Sequence, residues 1–176
     1  METDVETVVG WIKSPPNRTF VPEAVKPLSA VNIPDTKLDT LVLVNRIDTG
    51  KAIINQVPDS VFIHGDVKSK DRKSEYDEIK TSDNKIIVAT YGVAAVGLNI
   101  PRIFNLILIE PGKSFTRVIQ SIGRGIRKAK DKDFVQIWDI TSTCKYAKRH
   151  LTERKKFYKE AKYPFTQEKL DWMKIK

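Results

Sequence analysis

The chain has 176 residues, 40% of them hydrophobic and 30% charged, with a formal net charge of +9. That suits one domain with a real core, with or without appendages. No apolar run approaches the roughly 20 residues that span a bilayer. A single cysteine, Cys144, excludes an internal disulfide framework, and the two histidines, His64 and His150, lie too far apart for zinc-ligand spacing, so no metal site is expected. The opening METDVETVVG has neither the basic nor the apolar region of a signal peptide, and the expectation is a cytosolic protein.

The charge is uneven. Residues 1–36 carry 3 basic and 5 acidic side chains, residues 37–140 carry 17 and 13, and residues 141–176 carry 11 and 4. A basic C-terminal segment suits a polyanion nearby, and equally a solvated lysine-rich helix face.

Residues 1–36 hold prolines at 15, 16, 22, 27 and 34, which forbid a continuous helix or central strand across that stretch. They read as an extended leader or inter-domain linker. Then come five short apolar runs: TLVLVN (40–45), SVFIHG (60–65), KIIVAT (85–90), FNLILIE (104–110) and FVQIWDI (134–140). Continuous rather than alternating runs predict strands buried on both faces of a parallel sheet. Helical stretches lie between them: DTGKAIINQ, KSKDRKSEYDEIKTS and SFTRVIQSIGRGIRK. Strands alternating with helices predict an α/β doubly wound domain over 37–142. Residues 143–176 read as a basic helical tail of one or two amphipathic helices, broken at Pro164.

Ligands of such sheets bind beyond the carboxyl ends of the strands. That edge places Asn45 and Arg46, then His64, Gly65 and Asp66, then Thr90, Tyr91 and Gly92, then Glu110, Pro111 and Gly112. Thr90 ends a strand and its hydroxyl suits a cap on the next turn. Gly97 permits a close backbone approach. Asn99 precedes Ile100-Pro101, so the chain is extended there. In QSIGRGIRK (120–128), Gln120, Arg124 and Arg127 share one helix face, and Gly123 opens that face to a partner. Guanidinium forks on such a face suit phosphoryl oxygens. A basic helix end stabilised by the macrodipole would use the same residue types.

In this order, the stretches resemble the second RecA-like domain of superfamily 2 helicases. LVLVNRIDTGKAI is similar to motif IV, VFIHGDVKSKDR to motif IVa, IIVATYGVAAVGLNIP to motif V, and QSIGRGIRK to the motif VI pattern Q-x-x-G-R-x-x-R. Glutamine rather than histidine at the start of motif VI, the VQIWDI strand and the basic C-terminal segment lean toward DNA-repair translocases of the XPB/RecG-like group, phage members included. DEAD-box RNA helicases usually read H-R-x-G-R-x-x-R at that point. Asn99 departs from the aspartate that many relatives carry there.

The resemblance implies roles. Arg124 and Arg127 would meet the γ-phosphate of ATP, with Arg127 as the arginine finger and Gln120 orienting at the interface. Gly97, Asn99 and Gly123 would lie beside the nucleotide. Asn45, Arg46, His64, Gly65, Thr90 and Tyr91 would face the nucleic-acid backbone. No G-x-x-x-x-G-K-[ST] phosphate loop and no D-E-x-[DH] magnesium box occurs in the sequence. ATP would therefore be shared with a separate N-terminal RecA-like domain, which would also bring the magnesium. The expectation is the C-terminal half of a monomeric ATP-dependent DNA helicase or branched-DNA translocase, bacterial or phage, inactive as this chain alone. A stand-alone nucleic-acid-binding module and half of an RNA helicase are the alternatives.

Overall fold

The computed structural model describes residues 4–12, 39–65, 85–97, 103–112, 123, 134–142, 144–163 and 165–170. Hydrophobic side chains on both faces organise the centre of the sheet. In strand β2 (Thr40–Val44), Leu41 and Leu43 enter one hydrophobic cluster while Val42 and Val44 enter the other. A strand with no polar face must be covered on both sides, and it is. Strand β4 (Ile86–Thr90) repeats the pattern, with Ile87 and Ala89 on one side and Val88 on the other.

Around these lie strands β1 (Asp4–Ile12), β3 (Ser60–Ile63), β5 (Asn105–Ile109), β6 (Phe134–Ser142) and β7 (Phe165–Leu170). The sheet order is β3-β4-β2-β5-β6-β1-β7, and every pair is parallel. Helix α1 (Ile47–Gln56) covers one face through Ile53, and helix α2 (Tyr91–Gly97) joins the opposite cluster through Tyr91 and Ala94. Helix α3 (Lys145–Glu160) packs on that same face through Leu151 and Tyr158, both fully buried. The expected α/β doubly wound parallel sheet is therefore present, and the five apolar runs are its strands β2 to β6.

Gly50 shows how closely α1 lies on the sheet. A β-carbon there would run into the ring of Phe62 on β3, so glycine lets the helix settle against the strand.

Two expectations meet a different outcome. Residues 4–12, placed in the leader, form a strand paired with β6 in register from Asp4–Phe134 to Ile12–Ser142. The prolines begin only at position 15, so they do not bear on this segment. At the other end, α3 stops at Glu160 and the chain turns through Lys162, whose φ of 58° lies in the left-handed region. The next element is strand β7, on the outer side of β1, and not a second helix. Phe165 sits edge-on to Tyr158, with ring centroids 6.0 Å apart, which ties the strand to the core.

Candidate functional site

Because all strands run parallel, their carboxyl ends share one edge. The order of the sheet sets His64 after β3, Thr90 at the end of β4, Asn45 after β2 and Glu110 after β5 side by side. Register sharpens this. Val44 pairs with Thr90, and Ile63 pairs with Ala89. Adjacent strands lie about 4.8 Å apart, so these positions form one continuous rim.

Glu110 holds that rim together. Its φ of 46° turns the chain sharply off β5. Its backbone N–H donates to the carbonyl of Ile140 at 2.9 Å. Its carboxylate Oε1 accepts the backbone N–H of Ser142 at 2.6 Å. Its own carbonyl accepts the side-chain amide of Asn45. One residue thus fastens the ends of β2, β5 and β6.

Arg46 is the capping residue before α1 and pairs with Asp48 at 3.1 Å. The two side chains are 72% and 64% exposed, so the pair lies in water and screens easily. Asp48, in the first turn, also complements the positive end of the helix. His64 is half-buried, its ring 4.8 Å from that of Phe62 and tilted to it. Gly65 is exposed, with open space around it.

The ring of Tyr91 turns inward, 3% exposed, and its hydroxyl donates to the carbonyl of Ile109 at 3.5 Å. A nucleic-acid contact at this position would fall to the backbone. Thr90 is half-buried at the strand end, and Gly97 is the last residue of α2. Gly123 is exposed and helical, with nothing within reach of an added β-carbon. Gln120, Arg124, Arg127 and Asn99 lie outside the described residues.

A second cluster went unnoticed in the sequence. Arg154, on the inner face of α3, is buried against Asp139 of β6. Its Nε donates to Asp139 Oδ2 at 2.7 Å and its Nη2 to Oδ1 at 2.8 Å. The guanidinium also reaches Thr141 Oγ1 and the carbonyl of Gly112, each at 2.5 Å. Tyr158 adds a hydrogen bond to Asp139 Oδ2 at 2.7 Å. Burial alone would push the Arg154 pKa down, but the charge and hydrogen bonds of Asp139 more than offset it, and it rises. Burial, then Asp139, pushes the Tyr158 phenol far up, so it remains a donor. Gly112, with φ of 73°, comes soon after the end of β5 and precedes the segment that carries QSIGRGIRK. The signal for this cluster was a lone aspartate in an apolar strand and an arginine on the apolar side of a helix. Each needs the other.

With this geometry in place, similarity to known proteins decides the family. Residues 28–129 match the helicase conserved C-terminal domain. The chain belongs to this family. The match runs through the strands of the rim and the whole of QSIGRGIRK. The ATP-dependent DNA helicase UvsW of Enterobacteria phage T4 is 25% identical over 132 residues, which is 73% of this chain and 26% of UvsW. The ATP-dependent RNA helicase ddx24 of Dictyostelium discoideum is 34% identical over 96 residues, 52% of this chain and 10% of that protein. This helicase C-terminal domain thus spans about a quarter or less of the length of these relatives.

In solved structures, the fold superimposes on T4 UvsW with a TM-score of 0.71 at 19% identity, covering 96% of this chain and 42% of that one. It superimposes on the C-terminal domain of the DEAD-box protein Dbp5 with a TM-score of 0.73 at 16% identity, covering 95% and 91%. The helicase C-terminal domain here is therefore RecA-like.

Proposed function

We propose that this chain is the C-terminal motor domain of an ATP-dependent superfamily 2 DNA helicase or branched-DNA translocase, acting in recombination, repair or replication restart. The observation that carries the reading is the match of residues 28–129 to helicase C-terminal domains, which takes in Q-x-x-G-R-x-x-R whole. ATP would sit in the cleft between this domain and a first RecA-like domain, which brings the phosphate loop and magnesium. Arg124 and Arg127 reach the γ-phosphate from this side, and Arg127 stabilises the charge that develops on the transferred phosphoryl group. Gln120 orients at the same interface. Gly97, Asn99 and Gly123 line the approach to the nucleotide.

The rim after β2, β3 and β4 grips the nucleic-acid backbone. Asn45 is held by Glu110, and Arg46 can exchange Asp48 for a phosphate at little cost, since that pair is already in water. Closing of the two domains on ATP and reopening after hydrolysis would alternate this grip and move the strand.

Arg127→Ala in the protein joined to its first domain tests the reading. Loss of an arginine finger lowers turnover by about 10³–10⁵-fold. Nucleic-acid affinity should stay within about threefold, because the rim is untouched. Wild-type ATPase in the variant would remove the assignment.

RNA is the second reading, favoured by the likeness to the Dbp5 domain and to ddx24. Stimulation of ATPase by RNA and not by forked DNA would select it.

A further inference from the structure

Helix α3 carries charge in an arrangement that a merely solvated helix avoids. At 3.6 residues per turn, Lys145, Lys148, Arg149, Lys156 and Lys159 fall in one stripe about 100° wide. All five are exposed, and the inner face, with Ala147, Leu151, Arg154 and Tyr158, is buried. Glu153 and Glu160 flank the stripe, and Glu153 pairs with Lys156 at 3.1 Å. Among the described residues, Lys145, Lys148 and Arg149 have no carboxylate partner.

Three features work against the helix by itself. Lys145 lies three and four residues from Lys148 and Arg149, and like charges at that spacing destabilise a helix. The first turn holds no acidic residue, so cations stand at the positive end of the macrodipole. Beside them, Tyr146 is 73% exposed and is the large hydrophobic side chain left open among the described residues. Tyr146 and Arg149 are three apart, hence neighbours on the surface.

A bound polyanion reverses all three costs. Phosphates neutralise the cations and favour the helix N-terminus. An exposed aromatic ring beside cations is a stacking platform for an unpaired base. The stripe from Lys145 to Lys159 runs about 21 Å, long enough to follow several backbone phosphates. Its N-terminal end begins just past β6, at the same edge of the sheet as the rim.

We infer that the first two turns of α3 are a second nucleic-acid site, in which Lys145, Lys148 and Arg149 hold backbone phosphates and Tyr146 stacks on an unpaired base. The site adds a single-strand contact to the rim described above. It rests on the nucleic-acid part of the proposed function and not on ATP chemistry, so the Arg127→Ala outcome does not bear on it.

The test is fluorescence anisotropy of the 176-residue chain with a labelled oligo-dT of about 20 nucleotides and a blunt duplex of about the same length, over a range of salt. Tyr146→Ala should weaken the single strand by about 5–20-fold and leave the duplex within about twofold. Lys145→Gln/Lys148→Gln/Arg149→Gln should weaken both, and should reduce the single-strand salt slope by about two. Every substituted side chain is exposed, and a thermal melt no lower than that of the wild type confirms that the variants fold. An Arg46→Ala control separates the two sites. If Arg46→Ala weakens binding and the α3 variants do not, the rim stands and this site falls. Equal loss on single strand and duplex for Tyr146→Ala removes the stacking role, and absence of oligonucleotide binding by the wild-type chain overturns the inference.

Discussion

Two arginine–aspartate pairs stand at the same edge of the sheet and do opposite things. Arg46 and Asp48 meet at 3.1 Å with both side chains mostly in water. Arg154 and Asp139 meet at 2.7 Å with exposures of 3% and 0%. The first pair gains little from its contact and loses little by giving it up. The second has surrendered its hydration, so each partner depends on the other. The helicase C-terminal domain thus holds both kinds: an ion pair in water, and a buried one that fixes the frame around it.

Breaking the buried pair gives the largest expected effect. Asp139→Ala leaves the Arg154 guanidinium buried beside Thr141 and the Gly112 carbonyl, and should cost about 3–5 kcal/mol in a denaturant melt. A loss below about 1 kcal/mol would mean that water replaces the carboxylate, and the contrast with Arg46 would weaken.

Next in size is Tyr158→Phe. The hydroxyl donates to a buried carboxylate, and hydrogen bonds to charged groups contribute about 1.5–3 kcal/mol. The same variant sharpens the comparison through pH. The folded phenol has its pKa raised, so the stability linked to it is complete below the unfolded value near 10 and declines as pH rises beyond it. The melting temperature of the wild type should fall more steeply above pH ~10 than that of Tyr158→Phe. Parallel curves would contradict a protonated, hydrogen-bonded Tyr158.

The smallest effect on stability belongs to Arg46→Ala, whose melt should match the wild type. On the proposed function its effect should emerge instead in nucleic-acid binding, where one phosphate contact fewer would lower the salt slope by about one. A stability loss comparable to that of Asp139→Ala would erase the distinction between the two pairs.

How much of this was legible in the sequence depends on the physics of each element. The middle strands were legible because Leu41–Val44 and Ile87–Ala89 are buried on both faces, and a double-sided requirement leaves an unbroken apolar run. The rim was legible because parallel strands end together. Strand β7 was not, since Phe165–Leu170 is largely polar and lies at the outer end of the sheet order, where only one side pairs. Strand β1 was not, because its partner in β6 is more than a hundred residues away and no turn announces the pairing. Arg154 was counted as one more tail charge. Its inward aim depends on Asp139 and Gly112, which no local pattern connects to it.

The placement of β1 has a consequence in time. On the ribosome, Asp4–Ile12 emerges before its two neighbours, β6 and β7, which follow the other described strands in the chain. Strands β2 to β5 can assemble while β1 waits unpaired, since the order β3-β4-β2-β5 closes without it. Pairing β1 requires closing a loop of over a hundred residues, and such non-local contacts form slowly. The pairing of β1 is thus the most non-local step in completing the sheet, and until it forms Phe134–Ser142 has an open strand edge on that side.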